Sequence, residues 1–437
     1  MKEKAGHVFQ ERRRRVLERL GDRAMMVIAA APEIRVGFDT EFRYAVDPEL
    51  YYLTGCTEPE AVLVLSGVTD HAPFTLFVRP RDRERETWTG PRGGVESALA
   101  VSGADAAFPV TELETRLPGL LADADTVFAR LRTGRPAVDE AIVRALVTAR
   151  HARPKRGRGP DTLVDPGAVL DDLRLFKDEQ EVEAVKAAAA ITLETFLEAA
   201  GDIRAGTGEW QLGAAMDAGF RKRGASGPAF PTIVASGPNA TVLHHVGNDR
   251  ILEAAEAVLI DAGARHAMYC ADVSRTFPVS GRFGDGQRAL YDIVLAAHDA
   301  AISASRPGAT VAQVHDAAQR VLEAGLEDLG LIGPAGTEGR DVAVKAFYPH
   351  RTSHWLGLEV HDVGDYVRAG EPRRLEPGMV FTIEPGLYVS RDCEEGAARL
   401  RGLGIRIEDE VLITPSGHEV LTGALPTDPD TIERLVE

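Results

Sequence analysis

Four hydrophobic segments in the second half of the chain each carry a carboxylate in an otherwise apolar, strand-like setting. These acids are Asp261, Asp272, Glu384 and Glu408. Runs of Val, Leu and Ile are typical of buried strands, where an ionised carboxylate costs free energy unless a positive partner compensates it. An ion pair with Arg265 or Arg275 would explain one such acid, Asp261. Because the pattern recurs, the sequence favours a shared metal site.

Histidines cluster between these acids, in the segment 348–364. The three histidines there, of twelve in the chain, are His350, His354 and His361. Imidazoles beside buried carboxylates favour a metal or acid–base site over a structural role in the core. Two more imidazoles, His244 and His245, lie upstream, and either could donate a proton to a leaving group. Spacing alone does not choose between these two.

The pattern implies a ligand set of four carboxylates and one imidazole. The five residues are Asp261, Asp272, His354, Glu384 and Glu408. So oxygen-rich a set suits hard or borderline divalent ions, with Mn²⁺ preferred to Zn²⁺, Co²⁺ and Fe²⁺. Two divalent cations would neutralise four negative charges in full, and a pair about 3.5–4 Å apart can hold a bridging hydroxide and polarise a carbonyl. The sequence has no GxSxG, HExxH, GxxxxGK[ST] or GxGxxG motif, which leaves hydrolysis by metal-bound water as the predicted chemistry.

The elements that must hold these residues are predicted to form two domains, because 437 residues exceed what a single core usually supports. Short β-rich runs at 61–65 and 74–78 alternate with turns and helical stretches, which predicts an α/β N-terminal domain. A stretch rich in Pro, Gly and Arg, 151–166, precedes a boundary near residue 174. The expected domains are an accessory domain, 1–174, and a catalytic domain, 175–437.

A long helix is predicted to open the second domain, with Asp178 as its cap and Gly201 near its end. A faint internal repeat follows this helix. One helix leads into Arg204–Thr207 and then another helix, and a later helix leads into Arg306–Thr310 and then another. Such duplication predicts pseudo-twofold symmetry, although a repeat this short can also arise by chance.

Composition indicates an ordinary globular protein, with 44% hydrophobic residues and a formal net charge of −17. That charge would repel a nucleic-acid backbone or an anionic membrane, so neither is an expected partner. No apolar leader and no run of about 18 apolar residues is present, which predicts a cytoplasmic location. Three scattered cysteines predict no disulfide framework. The basic run Arg12–Arg15 is expected on the solvated face of a first helix.

Several segments resemble the pita-bread-fold metallopeptidases, a family that includes aminopeptidase P, prolidase and methionine aminopeptidase. They are IDAGARHAMYCADVSRTFPVSG, SHWLGLEVHDVG, LEPGMVFTIEPGLYV and GLGIRIEDEVLIT. The N-terminal segments YYLTGCTEPEAVLVL and FVRPRDRERETWTG look like the accessory domain of bacterial aminopeptidase P, so the resemblance covers nearly the whole chain. It implies an α/β N-terminal domain followed by an α+β pita-bread catalytic domain, of the creatinase and methionine aminopeptidase type, with pseudo-twofold symmetry.

The resemblance also implies how the ligands share two ions. Asp261 would bind one ion through both of its oxygens. Asp272 and Glu408 would bridge the two ions. His354 and Glu384 would hold the second ion.

Further residues take roles in substrate chemistry through the same resemblance. It selects His244, and not His245, as the proton donor to the departing proline nitrogen. His361 would bind the substrate carbonyl and the developing oxyanion, and His350 would line the substrate site. Arg406 faces the same side of its predicted strand as a metal ligand, where it can orient carboxylates or substrate.

The implied activity is hydrolysis of the N-terminal Xaa-Pro bond of peptides by attack of a metal-bridging hydroxide. A prolidase, which requires a dipeptide, is the closest alternative, and a non-catalytic scaffold of the same fold is another. Trp88 matches an aromatic residue that reaches a neighbouring active site in the family, which implies a homo-oligomer, either a dimer or a tetramer; alternatively, Trp88 fills the core of its own domain. Segment 41–47 departs from the family pattern and leaves the preferred peptide length open.

Overall fold

The computed structural model of the protein describes residues 2–38, 40–131, 136–396 and 398–436. The chain divides into two compact units, Met1–Leu173 and Arg174–Glu437. Each unit has its own hydrophobic core. No helix in the described ranges is both long and apolar enough to cross a membrane.

The first unit is built on a six-stranded mixed sheet. Its elements are α1 (Lys2–Leu20), β1 (Ala24–Ala29), α2 (Pro48–Thr54), β2 (Val62–Ser66), β3 (Phe74–Val78), α3 (Arg83–Thr89), α4 (Gly94–Ala100), β4 (Ala106–Pro109), α5 (Leu113–Leu121), β5 (Thr126–Ala129), α6 (Pro136–Arg156), β6 (Thr162–Val164) and α7 (Gly167–Leu175). The strand order is β4-β3-β2-β1-β5-β6, with β1–β2 and β2–β3 antiparallel and the other pairs parallel. The strands predicted at 61–65 and 74–78 are β2 and β3, because both runs are β-branched and apolar enough to be buried on both faces.

The basic run on α1 departs from the prediction. Arg12 and Arg13 are only 4% and 6% exposed, so the expectation of a fully solvated face was wrong for these two residues. The Arg12 guanidinium lies 4.3 Å from the ring centroid of Tyr52, and that of Arg13 lies 4.1 Å from the ring centroid of Phe74. Arg13 also donates to the Leu53 carbonyl at 2.7 Å. Ring faces and a carbonyl therefore replace water around the buried charges.

The second unit contains the predicted chemistry-bearing residues. Its elements are α8 (Glu179–Ala200), α9 (Glu209–Lys222), β7 (Gly227–Pro228), β8 (Ile233–Ser236), β9 (Ala257–Ala262), β10 (Ala264–His266), β11 (Tyr269–Cys270), β12 (Val273–Pro278), α10 (Asp285–Ala304), α11 (Val311–Asp328), α12 (Arg340–Phe347), β13 (Val367–Arg368), β14 (Glu371–Pro372), β15 (Val380–Ile383), β16 (Gly386–Val389), β17 (Leu403–Arg406), β18 (Asp409–Thr414), β19 (Gly417–Val420) and α13 (Pro429–Val436).

Helix α8 begins where the sequence predicts it. The Asp178 carboxylate accepts hydrogen bonds from the backbone N–H groups of Gln180 and Glu181. The Glu181 carboxylate accepts one in return from the Asp178 N–H at 3.1 Å, which completes a capping box. Gly201 follows the last helical residue, as predicted.

The two halves of this unit repeat one arrangement. The helix pair α8–α9 precedes the antiparallel sheet β12-β9-β8, and the pair α10–α11 precedes the antiparallel sheet β15-β18-β19. The connections Arg204–Thr207 and Arg306–Thr310 join the helices of each pair. The faint repeat in the sequence therefore corresponds to a structural duplication.

Candidate active site

All nine predicted site residues line one cavity of about 930 Å³ in the second unit. They are His244, Asp261, Asp272, His350, His354, His361, Glu384, Arg406 and Glu408. The remaining walls are largely apolar and include Phe230, Val360 and Tyr366. A cavity of this size with a few convergent polar groups has the character of a small-molecule or peptide site.

Strands of both sheets bring the four carboxylates together. Asp261 lies within β9, opposite Ser274 of β12. Asp272 directly precedes β12, Glu384 directly follows β15, and Glu408 lies between β17 and β18. Only one of the four acids is therefore in a strand, and the others occupy strand ends, where the backbone turns their side chains into the cavity.

The imidazole of His354 lies among these acids. Its Nε2 atom is 3.4 Å from Oδ2 of Asp272 and 3.7 Å from Oε1 of Glu384. Ligand atoms of Asp272, His354 and Glu408 all lie within 4.8 Å of one another. Strand β15 fixes the segment that carries His354, since Thr382 N–H donates to the His354 carbonyl at 2.9 Å. This spacing allows one ion to contact several of these side chains.

The electrostatics of the cluster show a shortage of positive charge. Burial, and then the charges of Asp261 and Glu384, raise the pKa of Asp272 well above its usual range. Burial, followed by Asp272 and Glu384, does the same to the pKa of Glu408. Burial raises the pKa of Glu384 to about 7, against the opposing effects of His354 and Arg406. Such mutual repulsion is what bound cations would relieve.

Asp261 supplies a second sign that the cluster fits a metal. Its Oδ1 atom is buried and has no hydrogen-bond partner. A buried carboxylate oxygen without a partner carries a desolvation cost. Oxygen donors in this number are the ligands that hard divalent ions prefer, so the residues fit the metal predicted from the sequence.

Arg406 holds the other oxygen of Asp261. Its Nη2 donates to Asp261 Oδ2 at 2.6 Å, its Nε to Ser274 Oγ at 2.9 Å, and its Nη1 to the Tyr388 hydroxyl at 2.9 Å. Ser274 Oγ in turn donates to Glu408 Oε2 at 2.8 Å. Arg406 therefore fixes one oxygen of Asp261 and leaves Asp261 Oδ1 free for a further partner.

The alternative ion pairs of Asp261 are not formed. Arg265 donates to the Leu358 carbonyl at 3.1 Å. Arg275 is fully buried and binds Asp409 at 2.8 Å and the Glu408 carbonyl at 2.6 Å. Arg275 thus fixes the backbone of a candidate ligand. This contact could not be predicted from the sequence, because nothing in local spacing links β12 to β18.

The structure distinguishes His244 from His245. His245 Nε2 lies 3.2 Å from Oε2 of Glu209, while His244 lines the cavity. Glu209 is fully buried and also accepts hydrogen bonds from the backbone N–H groups of Ser236, at 2.6 Å, and Arg250, at 2.9 Å. Ligand atoms of Glu209, His245 and Asp249 also lie within 4.8 Å of one another, but Glu209 is already committed to these donors. It anchors the loop that presents His244.

His350 and His361 also line the cavity. Burial, and then Arg406, lower the pKa of His350 to about 4, so its ring is neutral near pH 7. The His350 Nε2 atom is 2.8 Å from the Tyr388 hydroxyl. The His361 ring lies edge-on to that of His354, with centroids 4.3 Å apart. Burial, and then His354, lower the pKa of His361.

Comparison with known proteins agrees with this geometry. Residues 183–415 match the profile of metallopeptidase family M24, and residues 9–128 match that of the aminopeptidase P N-terminal domain. The chain belongs to metallopeptidase family M24 and carries the N-terminal domain of aminopeptidase P. The resemblance identified from the sequence motifs is confirmed.

Individual relatives are similar over their full length. The Xaa-Pro aminopeptidase of Escherichia coli K12 is 38% identical over 439 residues, which cover 100% of this chain and 99% of that protein. Proline aminopeptidase P II from Yersinia pestis matches with a TM-score of 0.93 and 38% identity, covering 99% of each chain. A zinc-substituted E. coli aminopeptidase P in complex with product matches with a TM-score of 0.93 and 37% identity, covering 99% of this chain and 98% of that one. The predicted α/β accessory domain followed by a pita-bread catalytic domain is thereby confirmed.

The repulsion among the acids makes a prediction for the metal-free protein. Asp272→Asn should raise its thermal midpoint, by about 2–4 °C for each kcal/mol of repulsion relieved, because the amide carries no charge. The same substitution should remove most of the stabilisation that Mn²⁺ gives the parent protein. Scanning calorimetry with chelator and with Mn²⁺ measures both effects.

The matched control is Asp292→Asn, at an exposed acid of α10 that lies outside the cavity. This substitution should change neither the thermal midpoint of the metal-free protein nor the stabilisation by Mn²⁺ appreciably. A lower midpoint for chelated Asp272→Asn than for the chelated parent would contradict the repulsion argument.

Proposed function

We propose that this protein is a metal-dependent aminopeptidase that hydrolyses the N-terminal Xaa-Pro bond of peptides. The observation that carries the proposal is the meeting of four carboxylates and several histidines in one largely apolar cavity. Membership of family M24 and the names of the full-length relatives support the same activity. The three free cysteines accord with a cytoplasmic location, where thiols stay reduced.

The proposed metal ligands are those predicted from the sequence. Asp261 would hold one ion, His354 and Glu384 the other, and Asp272 and Glu408 both. Mn²⁺ is our preferred ion because of the oxygen-rich donor set, and the zinc-substituted relative makes Zn²⁺ the next choice. When bound, the two ions supply a water-derived nucleophile at neutral pH and polarise the scissile carbonyl.

Three histidines would transfer the proton, bind the substrate carbonyl and contact the peptide. His244 would pass a proton to the proline nitrogen as the peptide bond breaks, a task for which its place on the cavity wall suits it. His361, held largely neutral by its lowered pKa, would donate an N–H to the substrate carbonyl oxygen. His350 would pack against bound peptide, with its ring fixed by Tyr388.

Specificity for proline follows from the chemistry of its peptide bond. The bond is a tertiary amide without an N–H, and the ring fixes the backbone. Recognition must therefore come from shape and from a proton donor directed at nitrogen. The apolar walls at Phe230, Val360 and Tyr366 provide surfaces against which a pyrrolidine ring can pack.

The first test compares two peptides, Arg-Pro-Pro and Arg-Pro, by mass spectrometry with Mn²⁺ and with chelator. We expect metal-dependent release of Arg from the tripeptide. Cleavage confined to the dipeptide would identify a prolidase. No cleavage of either peptide, with metal confirmed as bound, would favour the non-catalytic scaffold.

The second test concerns the proton donor. His244→Ala should lower kcat by about 10²–10⁴-fold, because protonation of the leaving nitrogen is lost, and should leave the metal content unchanged. Steady-state kinetics and elemental analysis measure the two effects. His151→Ala, at an exposed histidine of α6, is the control. An unchanged kcat in His244→Ala would remove His244 from the mechanism.

The homo-oligomer is supported by the exposure of Trp88. Helix α3 buries none of its side chains within the described chain, and Trp88 is 85% exposed. The alternative in which Trp88 fills the core of its own domain was therefore wrong. So large an exposed aromatic side chain suits a protein interface. We propose a dimer or tetramer in which Trp88 reaches the cavity of a neighbouring subunit.

Light scattering after size-exclusion chromatography tests this assembly. The mass should be two or four times the 47.0 kDa of one chain. Trp88→Ala should weaken the assembly or lower activity, whereas Trp210→Ala, at a half-exposed tryptophan of α9, should do neither. A monomeric parent protein with full activity would disprove the proposal.

A further inference from the structure

One exposed cation in the cavity has no part in the chemistry described so far. Arg351 lines the cavity and is exposed. Within the described part of the chain its guanidinium forms no ion pair with a carboxylate. Arg406, the other arginine of the wall, is by contrast buried and bound to Asp261. Arg351 is therefore available to an anionic group that enters from solution.

The backbone places Arg351 beside the reaction site. The Nδ1 atom of His350 lies 2.8 Å from the Arg351 carbonyl oxygen and 3.5 Å from Oε2 of Glu384. Since consecutive Cα atoms are about 3.8 Å apart, Arg351 is one residue from a side chain that touches the carboxylate cluster. Burial, and then the charge of Arg351, lower the pKa of His315, another residue of the cavity wall. The guanidinium thus acts on the cavity itself.

The composition of an aminopeptidase substrate determines on which side of the scissile bond its carboxylates lie. Arg351 repels the α-ammonium group of a substrate and attracts a carboxylate. An aminopeptidase holds one residue on the N-terminal side of the scissile bond, so the rest of the peptide extends the other way. The C-terminal carboxylate of a substrate, and any acidic side chain beyond its first residue, therefore lies on the C-terminal side of the scissile bond, and Arg351 is an exposed cation of the cavity wall that it can meet.

We propose that Arg351 binds a substrate carboxylate on the C-terminal side of the scissile bond and thereby favours short peptides with a free C-terminus. The inference rests on the proposed aminopeptidase function. A guanidinium matches a carboxylate with two parallel charge-assisted hydrogen bonds, a geometry that lysine does not reproduce. The same chemistry accepts an acidic side chain at the third position of the peptide.

The experiment compares kcat/KM for Arg-Pro-Pro with a free C-terminus and with a C-terminal amide. The parent enzyme should prefer the free acid by about tenfold, which corresponds to one charge-assisted contact. Arg351→Gln should reduce that ratio to near one, mainly through KM, because the contact is present in both ground state and transition state. Arg351→Lys should retain part of the preference. Arg320→Gln, at an exposed arginine on α11 outside the cavity, should retain all of it.

A second pair of peptides separates the two sources of the carboxylate. Arg-Pro-Glu-amide and Arg-Pro-Gln-amide differ only in one side-chain charge. A preference for the Glu peptide that disappears in Arg351→Gln would assign the contact to a side chain, and a preference found only with Arg-Pro-Pro would assign it to the C-terminus.

Two negative outcomes are distinguishable. For each pair, the ratio of kcat/KM between the peptide with the extra carboxylate and the peptide without it is compared in the parent and in Arg351→Gln. If this ratio is the same in both proteins for both pairs, the role of Arg351 alone is overturned. Inactivity of the metal-loaded parent on all four peptides would overturn the proposed function, and the role of Arg351 with it.

Discussion

Four carboxylates share one cavity, and Arg406 donates to one of them, Asp261. Burial, and then the charges of neighbouring acids, raise the pKa values of Asp272, Glu384 and Glu408. Much of the second unit serves to hold the acids together despite their repulsion. Strands from two sheets position the candidate ligands, so the full set exists only when the two halves pack. We therefore expect metal binding and folding of this unit to be coupled.

The features that could be predicted from the sequence are those that depend on residues close together in the chain. The capping box at Asp178 follows from residues three positions apart, and strands β2 and β3 follow from continuous apolar runs. The candidate ligands stood out because acids recur in apolar segments, and the shared motifs then assigned their roles.

The features that sequence reasoning missed depend on contacts between distant parts of the chain. Arg12 and Arg13 look like solvated residues until the rings of Tyr52 and Phe74 are placed beside them. The partner of Asp261 is Arg406, 145 positions away, and nearby arginines were the better guess from spacing alone. No local signal marked Tyr388 as the hydroxyl between Arg406 and His350.

The contacts of Tyr388 with Arg406 and His350 continue to the Arg351 carbonyl, and each hydrogen bond in this series has a fixed donor and acceptor. Arginine can only donate, so Arg406 Nη1 uses its hydrogen on the Tyr388 oxygen, and the Tyr388 hydrogen is left for Nε2 of His350. A carbonyl can only accept, so His350 must carry its own proton on Nδ1 and direct it at the Arg351 oxygen. The partners of the two ring nitrogens thus fix the tautomer of His350, with its proton on Nδ1. Three hydrogen bonds therefore connect Arg406, buried beside the carboxylates, to the backbone of Arg351, whose side chain is exposed to solvent. The order of donors and acceptors in this series cannot be reversed without breaking hydrogen bonds.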